Sequence, residues 1–578
     1  MNQAAALGRQ SVLYRVRAGP QQALFWSSGL LVAGTATILA LVVTFPMPAH
    51  PASVIYGPPG DSTGTIAIFW WWSYALQHGK GILDNTAWGA PFGAGWAAQP
   101  FAVLPLLVFT PLSLVFGPTA AYNLGVLSSF PLSAVLAYLA GRRLGMTPLG
   151  AAFSGLAFAF LPFHQMKATG HLSQAHMEVF PALLYFLLRW RDGGSRWNLL
   201  GAGAMLGLSL WTDYQFAFIM LFLTAAFFTA SLALSWGAES LGRHSVAASL
   251  TAVGLLPFLP PALLLGHRPG TGPIGSALGS FQRSLGDIDI YSNRPWEYLM
   301  PWSQNPLVPS AVKAYQAAHL HGSNGVEQAQ VLGYTVIALA LAALVWFRPR
   351  FPVVLGLVVA CAGGLLALPA DFHVFGQLLH GPAFLLNRVV PFIRVYARFG
   401  VLVMLGATLL AGLGFTLLEA VLRPRRQPWL LAIPFLLLAV EFNGQPPTHT
   451  TTIFPAPDEY TWLKAQPAGI LIEYPVVIVT PAEEVASRAY TLYQQVHLHP
   501  IFNGSDAGSA ADRVAPSLDP YYEPGVSARL SALGIRYVVV HRKVFPTAGY
   551  GLPRAVEGLQ YVATFDHGDA DVYLVKGP

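Results

Sequence analysis

The sequence has few charged residues and a single cysteine. Of its 578 residues, 10% are Asp, Glu, Lys or Arg and 54% are hydrophobic, whereas an average soluble domain is about 25% charged. So few charges cannot solvate a globular surface of this size, which argues against a soluble enzyme, a disordered chain or a coiled coil. Cys361 lies in an apolar run. An intrachain disulfide is therefore impossible, and a metal–thiolate site is not expected.

Long apolar runs indicate a polytopic membrane protein. A helix needs about 20 apolar residues to cross the hydrocarbon layer. Runs of this length, or slightly shorter, occur at 23–45, 120–141, 148–163, 174–190, 197–211, 215–236, 245–266, 330–347, 352–369, 399–421 and 428–442. The first run follows Arg9, Arg15 and Arg17 and is too long for a signal-peptide core, which predicts an uncleaved anchor.

The arginines predict the orientation of these eleven spans. With the N-terminus inside, the short inside segments hold 14 basic residues and two acids, as the positive-inside rule requires. This arrangement makes segment 101–116, which contains Pro105 and Pro111, a re-entrant or interfacial helix. The net charge of +6 therefore reports orientation, and no nucleic-acid partner is expected.

The predicted fold is an α-helical polytopic membrane protein of about 11 transmembrane helices with a C-terminal extracytoplasmic α/β domain. The boundaries are 1–442 for the membrane domain, with large outside loops at 46–119 and 267–329, and 443–578 for the α/β domain. Gly469–Val476 and Ile535–His541 read as buried strands. Helix-like stretches at 458–466, 482–496 and 525–533 separate or flank them.

This topology restricts the chemistry. No inside loop could hold a nucleotide-binding domain, and no GxxxxGK[ST] loop is present. An enzyme that forms a bond on the outside needs a donor that is already activated and carried in the lipid. A polyprenyl-phosphate sugar is the obvious candidate.

Asp61 is the leading catalytic candidate. It lies in the first outside loop, before an aromatic segment with Trp70, Trp71, Trp72 and Tyr74 that is suited to the membrane interface. A carboxylate there could remove the proton of an acceptor hydroxyl. Asp-Ser-Thr before an apolar run is also good N-capping chemistry, and one aspartate could serve both roles.

The Gly-Asp pair in a long first loop, followed by a Trp-rich helix, resembles the GT-C membrane glycosyltransferases. That resemblance implies a polyprenyl-phosphate donor and gives Asp61 the role of the essential first-loop acid. Further stretches are similar to the YfhO-like bacterial branch: LAGRRLG, LAFAFLPFHQMKATGHLSQAHMEVFPALL, RSLGDIDIYSNRPWEYLMP, RVYARFGVLVMLGATLLAGLG, WLKAQPAG, PIFNGSD and LGIRYVVVH. The branch implies the architecture and the reaction class, in the bacterial cytoplasmic (inner) membrane, and leaves the substrate open.

The connection after Pro162 supplies candidate substrate-binding residues, namely His164, Lys167, His171 and Glu178. They could bind the donor phosphate or acceptor hydroxyls, or be ordinary interfacial polar residues. The three histidines of this stretch also invite a metal interpretation, but their spacing matches no zinc signature. Asp213, at the outside end of a span, either lines the same cavity or marks the membrane edge.

Arg394 and Arg398 are candidates for stabilising the departing phosphate. Their i, i+4 spacing would place both on one helix face, and guanidinium groups suit phosphate. Anchoring in the headgroup layer is the alternative. Asp287 and Asp289 resemble a metal-binding DxD pair or an ordinary part of the loop. A divalent metal is possible but has no clear motif, so no cofactor is assigned.

Two short patterns have structural interpretations. Gly203 and Gly207 lie within a span and predict close helix packing, and Asn503-Gly504-Ser505 favours a loop turn over a glycosylation site.

The leading hypothesis is therefore an inverting glycosyltransferase with Asp61 as general base, the bilayer as its medium and an acceptor that is a glycan, lipid or protein. A lipid-linked glycan transporter or flippase is the second hypothesis, although the spans hold few ionisable residues away from their ends. A non-catalytic subunit with the same fold is the third.

Overall fold

The computed structural model describes residues 20–94, 102–259, 284–319, 321, 325–347, 350–391, 393–444, 449–505, 509–545 and 551–576. Arg9, Arg15 and Arg17, and residues 267–283 of the predicted outside loop, lie outside these ranges. The first half of the chain is helical around one short strand. Its elements are α1 (Pro20–Val43), β1 (Val54–Tyr56), α2 (Asp61–Gln77), α3 (Val103–Phe116), α4 (Pro118–Arg143), α5 (Pro148–Phe160), α6 (Pro162–Ala168), α7 (Leu172–Ala175), α8 (Val179–Arg191), α9 (Trp197–Thr212), α10 (Tyr214–Ala233) and α11 (Ala238–Leu255).

The second half has helices and a small sheet. Its elements are α12 (Leu285–Ile290), α13 (Ser310–Ala318), α14 (Tyr334–Trp346), α15 (Phe351–Leu366), β2 (Asp371–Val374), β3 (Gln377–His380), α16 (Pro382–Val389), α17 (Gly400–Leu422), α18 (Ala432–Glu441), β4 (Thr450–Thr452), α19 (Asp458–Lys464), β5 (Ile470–Tyr474), α20 (Pro481–His497), α21 (Ala510–Val514), α22 (Val526–Ala532), β6 (Ile535–His541), β7 (Leu559–Phe565) and β8 (Ala570–Val575). A 3₁₀ turn, Tyr396–Phe399, leads directly into α17.

Each of the eleven predicted membrane segments is helical over part of its length. Among the described residues, three helices are long and apolar enough to cross a membrane: α4, α10 and the continuous segment Tyr396–Leu422. The helices α5 and α6 meet at 45° and make a fourth span if they are counted as one. Other apolar helical segments, including α14, α15 and Ser27–Val43 within α1, are shorter.

The segment predicted to be re-entrant or interfacial is the short helix α3. Its 14 residues extend about 21 Å at 1.5 Å per residue, which is less than the hydrocarbon thickness. Pro111 lies inside the helix. Because α8 and α14, at 13 residues each, are no longer than α3, length does not separate this segment from the predicted spans, and its re-entrant or interfacial placement stays a prediction.

Close packing explains the two glycines of α9. A Cβ atom on Gly203 would lie 2.0 Å from the Thr251 carbonyl oxygen of α11, and one on Gly207 would lie 2.3 Å from the Phe258 ring. Neither position tolerates a side chain without displacement of its neighbour. The prediction that these glycines allow two helices to approach closely is confirmed.

The terminal segment forms a four-stranded sheet in the order β5-β6-β8-β7. The strands β5 and β6 are parallel, and the other neighbouring pairs are antiparallel. Both strands predicted from sequence are present. Alternate residues of β5 face two cores: Ile472 packs with Leu530 and Val538, whereas Leu471 packs with Leu463 and Leu492 in the main core. Burial on both faces explains the continuous apolar runs of these strands.

The first loop (46–119) and the terminal segment are joined by backbone pairing and side-chain contacts. Strand β1 pairs antiparallel with β4. The Trp88 indole donates to Gln494 of α20 at 2.7 Å, and α20 packs against α2. These contacts fix the position of α2, the helix that begins at Asp61.

Candidate functional site

Asp61 is the first residue of α2, and its carboxylate does not cap the helix. The N-cap is Gly60, whose φ of 142° favours glycine. The Thr63 hydroxyl completes the turn, because it accepts from the Gly60 N–H at 3.2 Å and donates to the Gly60 carbonyl at 2.8 Å. The interpretation of Asp61 as an N-cap is therefore wrong. Its carboxylate is 51% exposed, and a negative charge in the first turn is favoured by the helix dipole.

His171 contacts the Asp61 carboxylate. Its Nε2 lies 3.3 Å from Asp61 Oδ2. Burial and, next, the nearby Lys167 charge lower the pKa of His171 to about 4, although Asp61 acts in the opposite direction. The imidazole is therefore neutral at physiological pH, so the contact joins a neutral ring and a carboxylate.

A close backbone approach brings the two residues together. A Cβ atom on Gly57 would lie 2.2 Å from the Thr169 carbonyl oxygen, and Gly57 has a φ of 100°. Only glycine fits this conformation and this contact. The first loop therefore lies directly against the turn between α6 and α7, which carries His171.

Next to this pair lies a buried group of three charged residues. Lys167 Nζ is 2.5 Å from Glu327 Oε1, and Arg398 Nη2 is 2.7 Å from the same oxygen. The side chains of Lys167, Glu327 and Arg398 are 0%, 3% and 14% exposed. Burial by itself would raise the pKa of Glu327, but Arg398 and Lys167 outweigh it and hold this pKa well below its usual range.

Arg398 connects this group to Asp213. The Arg398 Nη1 donates to the Gln215 side-chain oxygen. Asp213 caps α10, because its Oδ1 accepts from the N–H groups of Gln215 and Phe216 at 2.9 and 3.0 Å. Its Oδ2 accepts from the Ser173 hydroxyl at 3.2 Å. The His171 N–H donates to the Lys167 carbonyl at 2.9 Å. Five of the predicted residues (Asp61, Lys167, His171, Asp213 and Arg398) therefore belong to one continuous set of contacts.

The other three predicted residues are held elsewhere. His164 is fully buried, contacts the Ala159 carbonyl and the Ser129 hydroxyl through its ring nitrogens, and stacks on Phe130. A packed histidine of this kind has no free edge for a substrate. Glu178 pairs with His176 at 2.7 Å, which leaves it outside the Asp61 group.

Arg394 and Arg398 do not share a helix face. Arg394 precedes the 3₁₀ turn and has no helical conformation, so the expected i, i+4 pairing is wrong. Its guanidinium donates to Asp287 Oδ1 at 3.3 Å and to the Tyr291 hydroxyl at 2.9 Å. Asp289 in turn binds Arg294 at 3.0 Å. Both carboxylates of the DxD pair therefore bind arginine side chains.

Within the described ranges, no group of three or more His, Cys, Asp or Glu residues could hold a metal ion.

Asn503 of the sequon pattern is buried. Its side chain accepts from the Glu473 N–H and donates to the Glu473 carbonyl. This is the structural role expected of a loop residue.

Glu327 is the residue that sequence reasoning missed. It lies in a turn of the long 267–329 loop, where no motif distinguishes it. Only the scarcity of charge in this sequence could have pointed to Glu327. In a chain with so few charged residues, a buried acid needs a cationic partner. Sequence separation concealed that its partners are Lys167 and Arg398.

Comparison with solved structures identifies the architecture. The arabinofuranosyltransferase AftD from mycobacteria matches with a TM-score of 0.61 and 15% identity, over 94% of this chain and 40% of AftD. ArnT from Cupriavidus metallidurans, bound to undecaprenyl phosphate, matches with a TM-score of 0.50 and 15% identity, over 97% of this chain and 100% of ArnT. The oligosaccharyltransferase of Archaeoglobus fulgidus matches at 0.50 and 14%, over 94% and 73%. The chain has the GT-C fold.

The GT-C fold confirms the predicted GT-C architecture and, together with the apolar helices, the assignment as a polytopic membrane protein. No protein-family model and no curated protein sequence matches the chain. The chain spans about 40% of the length of AftD. At 14–15% identity, these similarities concern the fold.

Proposed function

We propose that this GT-C chain is an integral membrane glycosyltransferase that moves a sugar from a polyprenyl-phosphate donor to an acceptor hydroxyl, with inversion at the anomeric carbon. The observation that carries the proposal is the position of Asp61, whose exposed carboxylate contacts His171 next to the Lys167–Glu327–Arg398 group. A general base and a pair of cations are the two parts that such a transfer needs.

The reaction would proceed by a single displacement. The acceptor oxygen forms a bond to the anomeric carbon while its proton passes to the Asp61 carboxylate. The bond between the anomeric carbon and the phosphate oxygen breaks, and its electron pair leaves with the polyprenyl phosphate. Lys167 and Arg398 would stabilise that leaving group, and the neutral His171 would orient Asp61.

The proposal also includes the cellular arrangement. The chain would lie in the bacterial inner membrane with about 11 spans, a cytoplasmic N-terminus and the 443–578 domain on the extracytoplasmic face. The contacts of α20 with α2 support a role of that domain next to the site, where it would help to select the acceptor. The acceptor is a glycan, a lipid or a protein.

The experiment that tests the proposal is sugar transfer by the purified chain in nanodiscs with radiolabelled polyprenyl-phosphate sugars. Asp61→Asn keeps the shape of the side chain and removes the base, so the rate should fall about 10²–10⁴-fold. Asp84→Asn, an exposed acid of the same loop, is the matched control and should transfer normally. Transfer at the wild-type rate by a folded D61N protein would refute the assignment.

A further inference from the structure

Glu327 binds the two cations of the site in an uneven way. Lys167 Nζ, Arg398 Nη2 and Arg398 Nε lie 2.5, 2.7 and 3.2 Å from the same oxygen, Oε1. The second oxygen, Oε2, is buried and has no hydrogen-bond partner among the described residues. Oε1 therefore takes two hydrogen bonds from Arg398 and an ion pair from Lys167, whereas Oε2 takes none. Lys167 Nζ is itself buried without a hydrogen-bond partner among the described residues.

Arg398 is positioned by more than its contact with Glu327. Its Nη1 donates to Gln215. Gln215 donates from its side-chain amide to the Val395 carbonyl at 3.2 Å, and its backbone N–H is fixed by the Asp213 cap. The guanidinium therefore keeps its Nη1 hydrogen bond to Gln215 when Glu327 is removed.

Lys167 has an independent support in the backbone. It lies in the last turn of α6, and its carbonyl accepts from the His171 N–H at 2.9 Å. Glu327, in contrast, lies in a turn with no helix or strand. Its carbonyl accepts from the Gln330 side-chain amide at 2.8 Å, and of the three charged residues Glu327 is the one outside any α-helix or 3₁₀ turn.

A tetrahedral phosphate suits this pair of cations better than a carboxylate does. The guanidinium fork is shaped to meet two oxygens side by side, and a phosphate group offers several strong acceptor oxygens and more negative charge. A phosphate could give the Lys167 ammonium and each fork nitrogen of Arg398 a separate oxygen. A carboxylate has only two oxygens. Here both cations contact Oε1 and neither contacts Oε2, as expected when a carboxylate lies where a larger phosphate group fits.

We propose that Glu327 is an internal counter-anion that occupies the phosphate position of the resting site and is displaced by the phosphate of the lipid donor. This inference rests on the proposed function, because it takes Lys167 and Arg398 as the phosphate-binding cations. Glu327 offsets part of the charge of two buried cations before the donor arrives. It also lowers the apparent affinity for the donor, because only the fraction of molecules with Glu327 displaced is competent to bind.

The test is the binding of a polyprenyl monophosphate to the full chain in detergent, measured by isothermal calorimetry. Glu327→Gln removes the competing charge and keeps the side-chain shape, so Kd should fall at least about tenfold. Glu297→Gln is the matched control. Glu297 lies in the same region and is bound to His321 and the Arg294 N–H, and its substitution should leave Kd unchanged. Inorganic phosphate and the uncharged polyprenol are the two further probes.

The outcomes separate the two proposals. Tighter binding of polyprenyl phosphate by E327Q, with no binding of polyprenol, supports the inference. Equal or weaker binding by E327Q than by the wild type overturns it and leaves the donor proposal standing. Failure of both proteins to bind either polyprenyl phosphate or inorganic phosphate overturns both proposals. Tighter binding of inorganic phosphate by E327Q, without binding of the lipid, keeps the anion exchange and refutes the lipid donor.

A second measurement needs no variant and therefore does not depend on the folding of E327Q. Hydrogen exchange of residues 325–331 is followed in the wild-type chain with and without polyprenyl phosphate. Displacement of Glu327 releases this segment from Lys167 and Arg398, so its exchange should become faster when the ligand binds, whereas α6 should become more protected. Slower or unchanged exchange at 325–331 in the bound state would overturn the inference.

Discussion

The Nε2 atom of His171 lies 3.3 Å from the Asp61 carboxylate, although the two residues belong to different parts of the fold. Asp61 begins α2, and His171 lies in the turn after α6. The neutral ring can orient one carboxylate oxygen and leave the exposed remainder available to an acceptor. We therefore propose that His171 is a positioning residue for Asp61.

The first prediction concerns this pair. His171→Gln should lower kcat by about tenfold with little change in KM, because a misoriented base slows the chemical step more than it weakens substrate binding. The same substitution in the D61N background should have no further effect, since His171 acts through Asp61. Steady-state kinetics of the four proteins of this cycle give the result. Independent, additive losses would show that His171 acts in another way.

The second prediction separates the capping role of Asp213 from a role of its charge. Asp213→Asn retains an oxygen that can accept from the Gln215 and Phe216 N–H groups, and should keep both stability and activity close to wild type. Asp213→Ala removes the cap and should cost about 1 kcal/mol, and it should also weaken donor binding because Gln215 orients Arg398. Thermal unfolding and donor binding of both variants are compared. A loss of activity in D213N as large as in D213A would assign the function to the charge.

The third prediction concerns helix packing. Gly203→Ala places a Cβ atom against backbone atoms of Thr251 and Gly254, which cannot give way like a flexible side chain, and should cost about 1–3 kcal/mol. Gly34→Ala is the control because a Cβ there meets nothing within 4 Å. Thermal unfolding in detergent should show a lower melting temperature for G203A alone. Equal melting temperatures would mean that α9 and α11 are not in close contact.

The fourth prediction is a pH dependence of the terminal sheet region. Burial raises the pKa of Glu459 from 4.5 to about 7, and its Oε2 has no hydrogen-bond partner among the described residues. A raised folded-state pKa means that this group contributes stability below pH 4.5 and that the contribution is lost as pH rises through 7. Glu459→Gln cannot ionise, so it should flatten the decline.

The measurement is the melting temperature between about pH 5 and about pH 8, the interval in which the two pKa values predict the change. Glu484→Gln, at an exposed position of α20, controls for the loss of one acid from the same region. A slope that persists unchanged in E459Q would assign the pH dependence to another group.

The helices and the terminal strands were predictable because they depend on local patterns. Apolar runs predicted helical segments, and continuous β-branched runs predicted β5 and β6. The lengths of the spans were less predictable. Several apolar runs form helices that are shorter than the run itself, because proline and glycine end them or because adjoining residues enter turns.

The site was partly predictable from the scarcity of charge. In a chain with so few ionisable residues, Asp61, Lys167, His171, Asp213 and Arg398 were visible as candidates, and the structure brings them together. His164, Glu178 and Arg394 were equally visible. A sequence does not show that His164 already contacts a backbone carbonyl, that Glu178 pairs with a histidine and that Arg394 pairs with a carboxylate.

The sequence by itself determined the membrane class, the position of the first-loop acid and the strands of the terminal sheet, because composition and periodicity report how much of each segment is buried. The tertiary structure decided which charges meet. The long segments between α6, the 325–328 turn and Arg398 conceal their contact, and the pairing of Lys167 and Arg398 on Glu327 depends on distances in space that no local pattern encodes. For the same reason, only the fold could show that Gly60 is the N-cap of α2 and that the Asp61 carboxylate contacts His171.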